Sequence, residues 1–172
     1  NTIGQIAAAI SGANITDERN AFDVVSQELA KLLNTGLVNL DNDIFINTLI
    51  TNSLTALNGT LDTTMINDLV DVILNINTAI SEAITSSITP LESFESLAKV
   101  QIAAETIENE LEAGVAAGDT SSVVASSSGT TFAAKVAVAE AGLISKEEAS
   151  INYAPIVKDV LIERIEDHLD NT

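Results

Sequence analysis

The chain has 172 residues, of which 46% are hydrophobic, 19% charged and only 3% aromatic, with 25 acidic against 7 basic side chains and no cysteine. That length fits one domain burying roughly 70% of the surface its unfolded chain exposes, and the density of Ile, Leu, Val and Ala argues against disorder despite the charge. A formal charge of −18 with no Lys/Arg cluster excludes nucleic acid and anionic membrane surfaces as partners, and the missing cysteine excludes disulfides, thiolate metal sites, iron–sulfur clusters and thiol nucleophiles.

The first residue is Asn1, so the sequence reads as a processed product or an excised domain, without a charged and apolar leader of signal-peptide type. No run approaches about 18 uninterrupted apolar residues, so no bilayer-spanning helix is expected.

Seven helical segments follow in chain order. Thr2 and Gln5 have the spacing of a capping box ahead of Ile3, Ile6, Ala7 and Ile10, and Gly12 closes that first helix. A second is predicted from about Asp17, with Phe22, Val25, Leu29, Leu32 and Leu33 on one stripe and Gly36 past its end. The third runs from about Asp41 to Leu57 on Ile46, Leu49, Ile50, Leu54 and Leu57, and the turn dipeptide Asn58-Gly59 ends it. The fourth, from about Asp62 to Thr85, carries the most regular spacing in the chain: Ile66, Leu69, Ile73, Ile76, Ile80 and Ile84. Thr89-Pro90-Leu91-Glu92 then opens the fifth, whose apolar residues are Leu91, Phe94, Leu97, Val100, Ala104, Ile107 and Leu111.

Residues 114–131 are rich in Gly, Ser and Thr and read as a flexible connection. A sixth, short helix with Phe132, Val136 and Ala139 ends at Gly142. Ser145-Lys146-Glu147-Glu148 caps the last segment, which Pro155 should kink before Ile156, Val160, Leu161 and Ile165 resume an apolar face. The predicted fold is all-α, a compact single-domain bundle of five to seven amphipathic helices. Its core should be aliphatic, aromatic-poor and closely interlocked, with little room for a cavity.

Candidate chemistry is sparse. His168, the only histidine, lies four residues from the end among Glu163, Glu166, Asp167 and Asp170, and reads as a solvated residue. No Gly-x-Ser-x-Gly elbow or phosphate-binding glycine loop occurs. Asp41-Asn42-Asp43 has the residue types of a calcium loop without its glycine and distal glutamate, so it reads as helix-capping residues. Glu105, Glu108, Glu110 and Glu112 crowd one helix end, but no Glu-x-x-His accompanies them, and they read as a solvated acidic face. Two glycosylation triplets, Asn14-Ile15-Thr16 and Asn58-Gly59-Thr60, fall in predicted turns. No catalytic, cofactor-binding or metal-binding residue is assigned.

Gly36-Leu37-Val38-Asn39 and Gly142-Leu143-Ile144-Ser145 each follow a Phe-bearing helix and precede another, and Ser121 to Ser128 is Ser-rich. On these residues, about a fifth of the chain, the sequence resembles the helical globular domains of spider silk proteins (spidroins). The resemblance implies a secreted structural module of a fibre with no catalytic residues to carry over. The acid load and the lack of Gly- or Ala-rich fibre blocks depart from that pattern.

Two functional expectations follow. One is a non-catalytic, extracellular structural or interaction module whose acidic surface governs solubility and pH- or salt-dependent self-association, needing no cofactor. The other is a helical binding protein for an apolar small molecule or surface, drawn from the long aliphatic stripes such as Ile66 to Ile84.

Overall fold

The computed structural model describes residues 2–34, 36 and 39–139. These form an all-α bundle: α1 (Thr2–Gly12), α2 (Ala21–Leu33), α3 (Asp43–Ala56), α4 (Thr63–Thr85), α5 (Pro90–Ala117), α6 (Ser121–Ser126) and α7 (residues 129–139). No strand occurs among the described residues; a single antiparallel bridge joins Asn14 to Thr60. The capping box of Ser145, the kink at Pro155, the end at Gly142 and His168 lie outside the described residues.

Local chemistry sets most helix starts. Asn42 accepts from the Phe45 N–H (2.9 Å) and Asp62 from the Met65 N–H (2.8 Å), so α3 and α4 each begin at a side-chain cap ahead of their first buried apolar residues, Phe45 and Leu69. Thr89 and Glu92 close a complete capping box ahead of Pro90. At the end of α3 the chain turns in a Schellman motif: Gly59 N–H donates to the Leu54 carbonyl (2.8 Å), Asn58 N–H to that of Thr55 (3.2 Å), and Asn58 takes φ 50°.

Three sequence expectations are corrected. Thr2 and Gln5 make no capping box, since Thr2 is buried and donates to Asn77 Oδ1 on α4 (3.1 Å), while both Gln5 amide atoms are buried without a partner among the described residues. The second helix starts at Ala21, not near Asp17. The Asp17 carboxylate accepts from the Arg19 backbone and guanidinium, and the same guanidinium donates to the Ala56 carbonyl, which ties this loop to the end of α3 and leaves the cap to Asn20. The buried side of α2 is accordingly Ala21, Val24, Val25 and Glu28, with Phe22 and Leu33 more than half exposed.

The third correction concerns residues 114–131, which form no flexible connection. α5 continues to Ala117, Gly118 closes it with φ 75°, and α6 and the first turns of α7 occupy most of what remains. The glycines here serve packing: a Cβ on Gly114 would stand 2.7 Å from the Asp119 carbonyl oxygen. Side-chain bonds hold the serines and threonines in place: Thr120 donates to Asp68 (2.6 Å), Asn75 to Ser127 (3.3 Å), and Ser126 to Glu110.

The core is aliphatic. Ile6, Ile10, Ile46, Leu49, Ile50, Leu69, Ile73, Ile76, Ile107 and Leu111 are fully enclosed, and the aromatic contribution is Phe45 and Phe132. α1 sits at the centre, packed along α5 and touching α2, α3 and α4. Gly4 lies against Glu108, and Gly12 against the Glu112 backbone and Val115, so α1 and α5 run parallel.

Two substitutions test this packing. A Cβ at residue 12 would fall 2.3 Å from the Glu112 carbonyl oxygen, so Gly12→Ala should cost about 1–3 kcal/mol, read as a lower denaturant midpoint. Gln5→Leu removes two unpaired buried polar atoms at similar volume and should stabilise by roughly 1–2 kcal/mol in the same measurement.

Candidate interaction surface

The acidic residues singled out in the sequence do not converge. Asn42 of the Asp41–Asp43 group caps α3, Asp43 accepts from the neighbouring Ile44 N–H (2.8 Å), and Asp41 N–H donates to Asn39 (3.0 Å), so the group is helix-start chemistry. On α5, Glu108 faces α1 at Gly4, whereas Glu110 accepts from Ser126 on α6 and pairs with Lys135 on α7. Glu105 and Glu112 are exposed. The helix sends these four carboxylates in different directions, and among the described residues no group of His, Cys, Asp or Glu could hold a metal ion.

Both glycosylation triplets lie at one corner. Asn14 and Asn58 are exposed, and the bridge between Asn14 and Thr60 sets the two triplets side by side. Of the two Gly-Leu-Val/Ile-Asn/Ser junctions, Gly36 has the left-handed φ of 78° expected just past a helix. Leu37, Val38 and the whole of the second junction lie outside the described residues.

Two surface features emerge from the fold. The first is an open groove of about 580 Å³ between α4, α5 and α7, with Ala79, Ala83, Val100, Phe132 and Val136 among its apolar lining and Glu82, Lys99 and several serines among its polar lining. It opens to the surface, and its floor includes the buried core residues Ala83, Val100 and Phe132.

The second is an apolar ridge at the turn between α4 and α5. Thr2 bonds Asn77 of α4, and Gly4 meets Glu108 of α5, so α1 begins partway along both helices. The last two turns of α4 and the first turns of α5 project beyond it. On α5 the row that faces α1 runs back from Glu108 through Ala104, Gln101 and Leu97 to Phe94; on α4 the row of Asn77 continues through Ile80 to Ile84, and Ile88 follows in the turn beyond the end of α4 at Thr85. With no α1 over them, Ile84 is 50% exposed, Ile88 91%, Leu91 67% and Phe94 70%.

Periodicity alone counted Ile84, Leu91 and Phe94 as core, because it identifies the apolar side of a helix and not the length of its partner. The signal available in the sequence is the mismatch between an 11-residue α1 and the 23- and 28-residue helices beside it.

No helix among the described residues is long and apolar enough to cross a membrane. No family model matches the chain, and neither the curated proteins nor the solved structures compared with it gave a match.

Burial against α1 raises the Glu108 pKa above its ordinary 4.5, and the nearby Glu105 charge pushes the same way. A carboxyl whose folded pKa is raised binds its proton more readily in the folded state, so its contribution to stability grows as pH falls through the folded pKa and is complete below about 4.5. Glu108→Gln should therefore raise the melting temperature at pH 7, and the difference from the parent should vanish below pH ~4.5, as calorimetry at the two pH values will show.

Proposed function

We propose that the chain is a non-catalytic structural or interaction module, extracellular and of the kind found in fibre-forming or surface proteins, whose self-association is governed by its acidic surface. The observation that carries this reading is the combination of an 18-charge negative excess with an apolar ridge left open at one end of an aliphatic bundle. The described acids act as helix caps, as local ion-pair partners and as exposed faces. Repulsion between like-charged copies opposes contact through the ridge, while salt screening or carboxylate protonation relaxes that repulsion. The resemblance of the Gly36 and Gly142 junctions to spidroin helical domains supports the fibre-type setting.

A second reading, a binding protein for an apolar small molecule, draws on the groove lined by Phe132 and Val136. Native mass spectrometry of the purified chain distinguishes it by a bound ligand mass.

Light scattering between pH 7 and pH 5, at low and at high salt, tests the first reading. The expected result is a larger mean mass at pH 5 or in high salt than at pH 7 in low salt; a monomer under all four conditions would count against it.

A further inference from the structure

We propose that the Ile84–Ile88–Leu91–Phe94 ridge is a two-fold interface, and that its occupant is the same ridge on a second copy of this chain. The inference rests on the self-association read above and assigns it to one surface. Four large apolar side chains, each at least half exposed and grouped around the turn between α4 and α5, expose a few hundred Å² between them, at the upper end of what a monomer leaves open. Pairing two such patches, with Ile80 and Leu97 at their inner edge, buries on the order of 1,000 Å² in total, the lower bound for a specific interface.

The shape suits an isologous pair. Among the described residues, α4 and α5 continue past the start of α1 on this side as two antiparallel helices with exposed apolar side chains, which is half of a four-helix layer. A two-fold axis through the ridge supplies the other half and gives a closed dimer with no free apolar end. The electrostatics allow the approach. The Glu92 carboxylate, the acid nearest the turn, accepts the Ile88 and Thr89 N–H groups (3.0 and 2.9 Å), so its charge is bonded to the backbone at the N-terminus of α5, where the helix dipole offsets part of it. Exposed Glu95 remains on the flank, and its repulsion across the axis makes the dimer weak at low salt and tighter as salt rises.

Sedimentation velocity on the full chain tests this, from about 1 to about 500 µM in low and high salt, comparing the parent with Ile88→Ser/Phe94→Ser and with Ile44→Ser. Ile44 is 71% exposed but sits beside Asn67 and Asp71, several turns of α4 away from the ridge. All three side chains are solvent-exposed, and circular dichroism checks that each variant keeps its helices. The expected result is a concentration-dependent dimer in the parent and in Ile44→Ser, weakened at least tenfold in the ridge variant. A parent that associates together with a ridge variant that associates equally well overturns the ridge assignment and leaves the self-association reading standing. A parent that stays monomeric at every salt and also at pH 5 overturns both.

Because the chain has no cysteine, Phe94→Cys adds an independent arm. Mild oxidation should yield a covalent dimer. A thiol shielded from alkylation in a monomer would mean that residues of the same chain cover the ridge, and would overturn the proposal.

Discussion

α1 is a short aliphatic helix laid into the middle of the bundle, and the other helices are arranged around its surface. Gly4 leaves room for the Glu108 side chain, and Gly12 meets the Glu112 backbone directly, so the two helices come closest at the end of α1. Ile6 and Ile10 reach full burial as a result, and α2, α3 and α4 each gain an apolar wall to pack on. The same helix carries the costliest defect of the core, the unpaired amide of Gln5. A position that tolerates so unfavourable a group must be held by strong packing on every side.

The serine-rich stretch shows how composition misleads where tertiary bonds decide. Ser and Thr are poor helix formers because their hydroxyls compete for backbone groups. In this segment the Thr120 and Ser126 hydroxyls donate instead to carboxylates on α4 and α5, while Ser127, which ends α6, donates to the Val124 carbonyl and accepts from Asn75. The carboxylates and Asn75 lie 16 or 52 residues away in sequence, beyond the reach of any local pattern. Caps, by contrast, are local, which is why the starts of α3, α4 and α5 were legible to within about two residues.

The interaction surface was legible only in part. The aliphatic rows of α4 and α5 are evident from spacing alone, and so is the acid excess. What spacing does not carry is that α1 stops at Asn77 and Glu108, which turns the outer third of those rows from core into surface. Helix ends set by a partner of different length belong to tertiary structure, which is why Ile84, Leu91 and Phe94 read as core by periodicity and stand exposed in the fold. The acids, in turn, become separate local devices once their bonding partners are known.

The parallel docking of α1 on α5 also fixes the order in which the molecule can assemble. The helix at the start of the chain finds its principal partner about a hundred residues later, between Ala104 and Val115, so the loop it closes spans most of the described chain and its entropy is correspondingly large. The α4–α5 pair, two consecutive helices joined by a four-residue turn, closes a far shorter loop. On the ribosome, α1 emerges about a hundred residues ahead of the part of α5 it packs on, so the side that faces α5 stays uncovered until the far half of α5 has been synthesised. A chain that holds an aliphatic helix in suspense for that interval gains from carrying a high net negative charge, because nascent copies repel one another while their cores are still open.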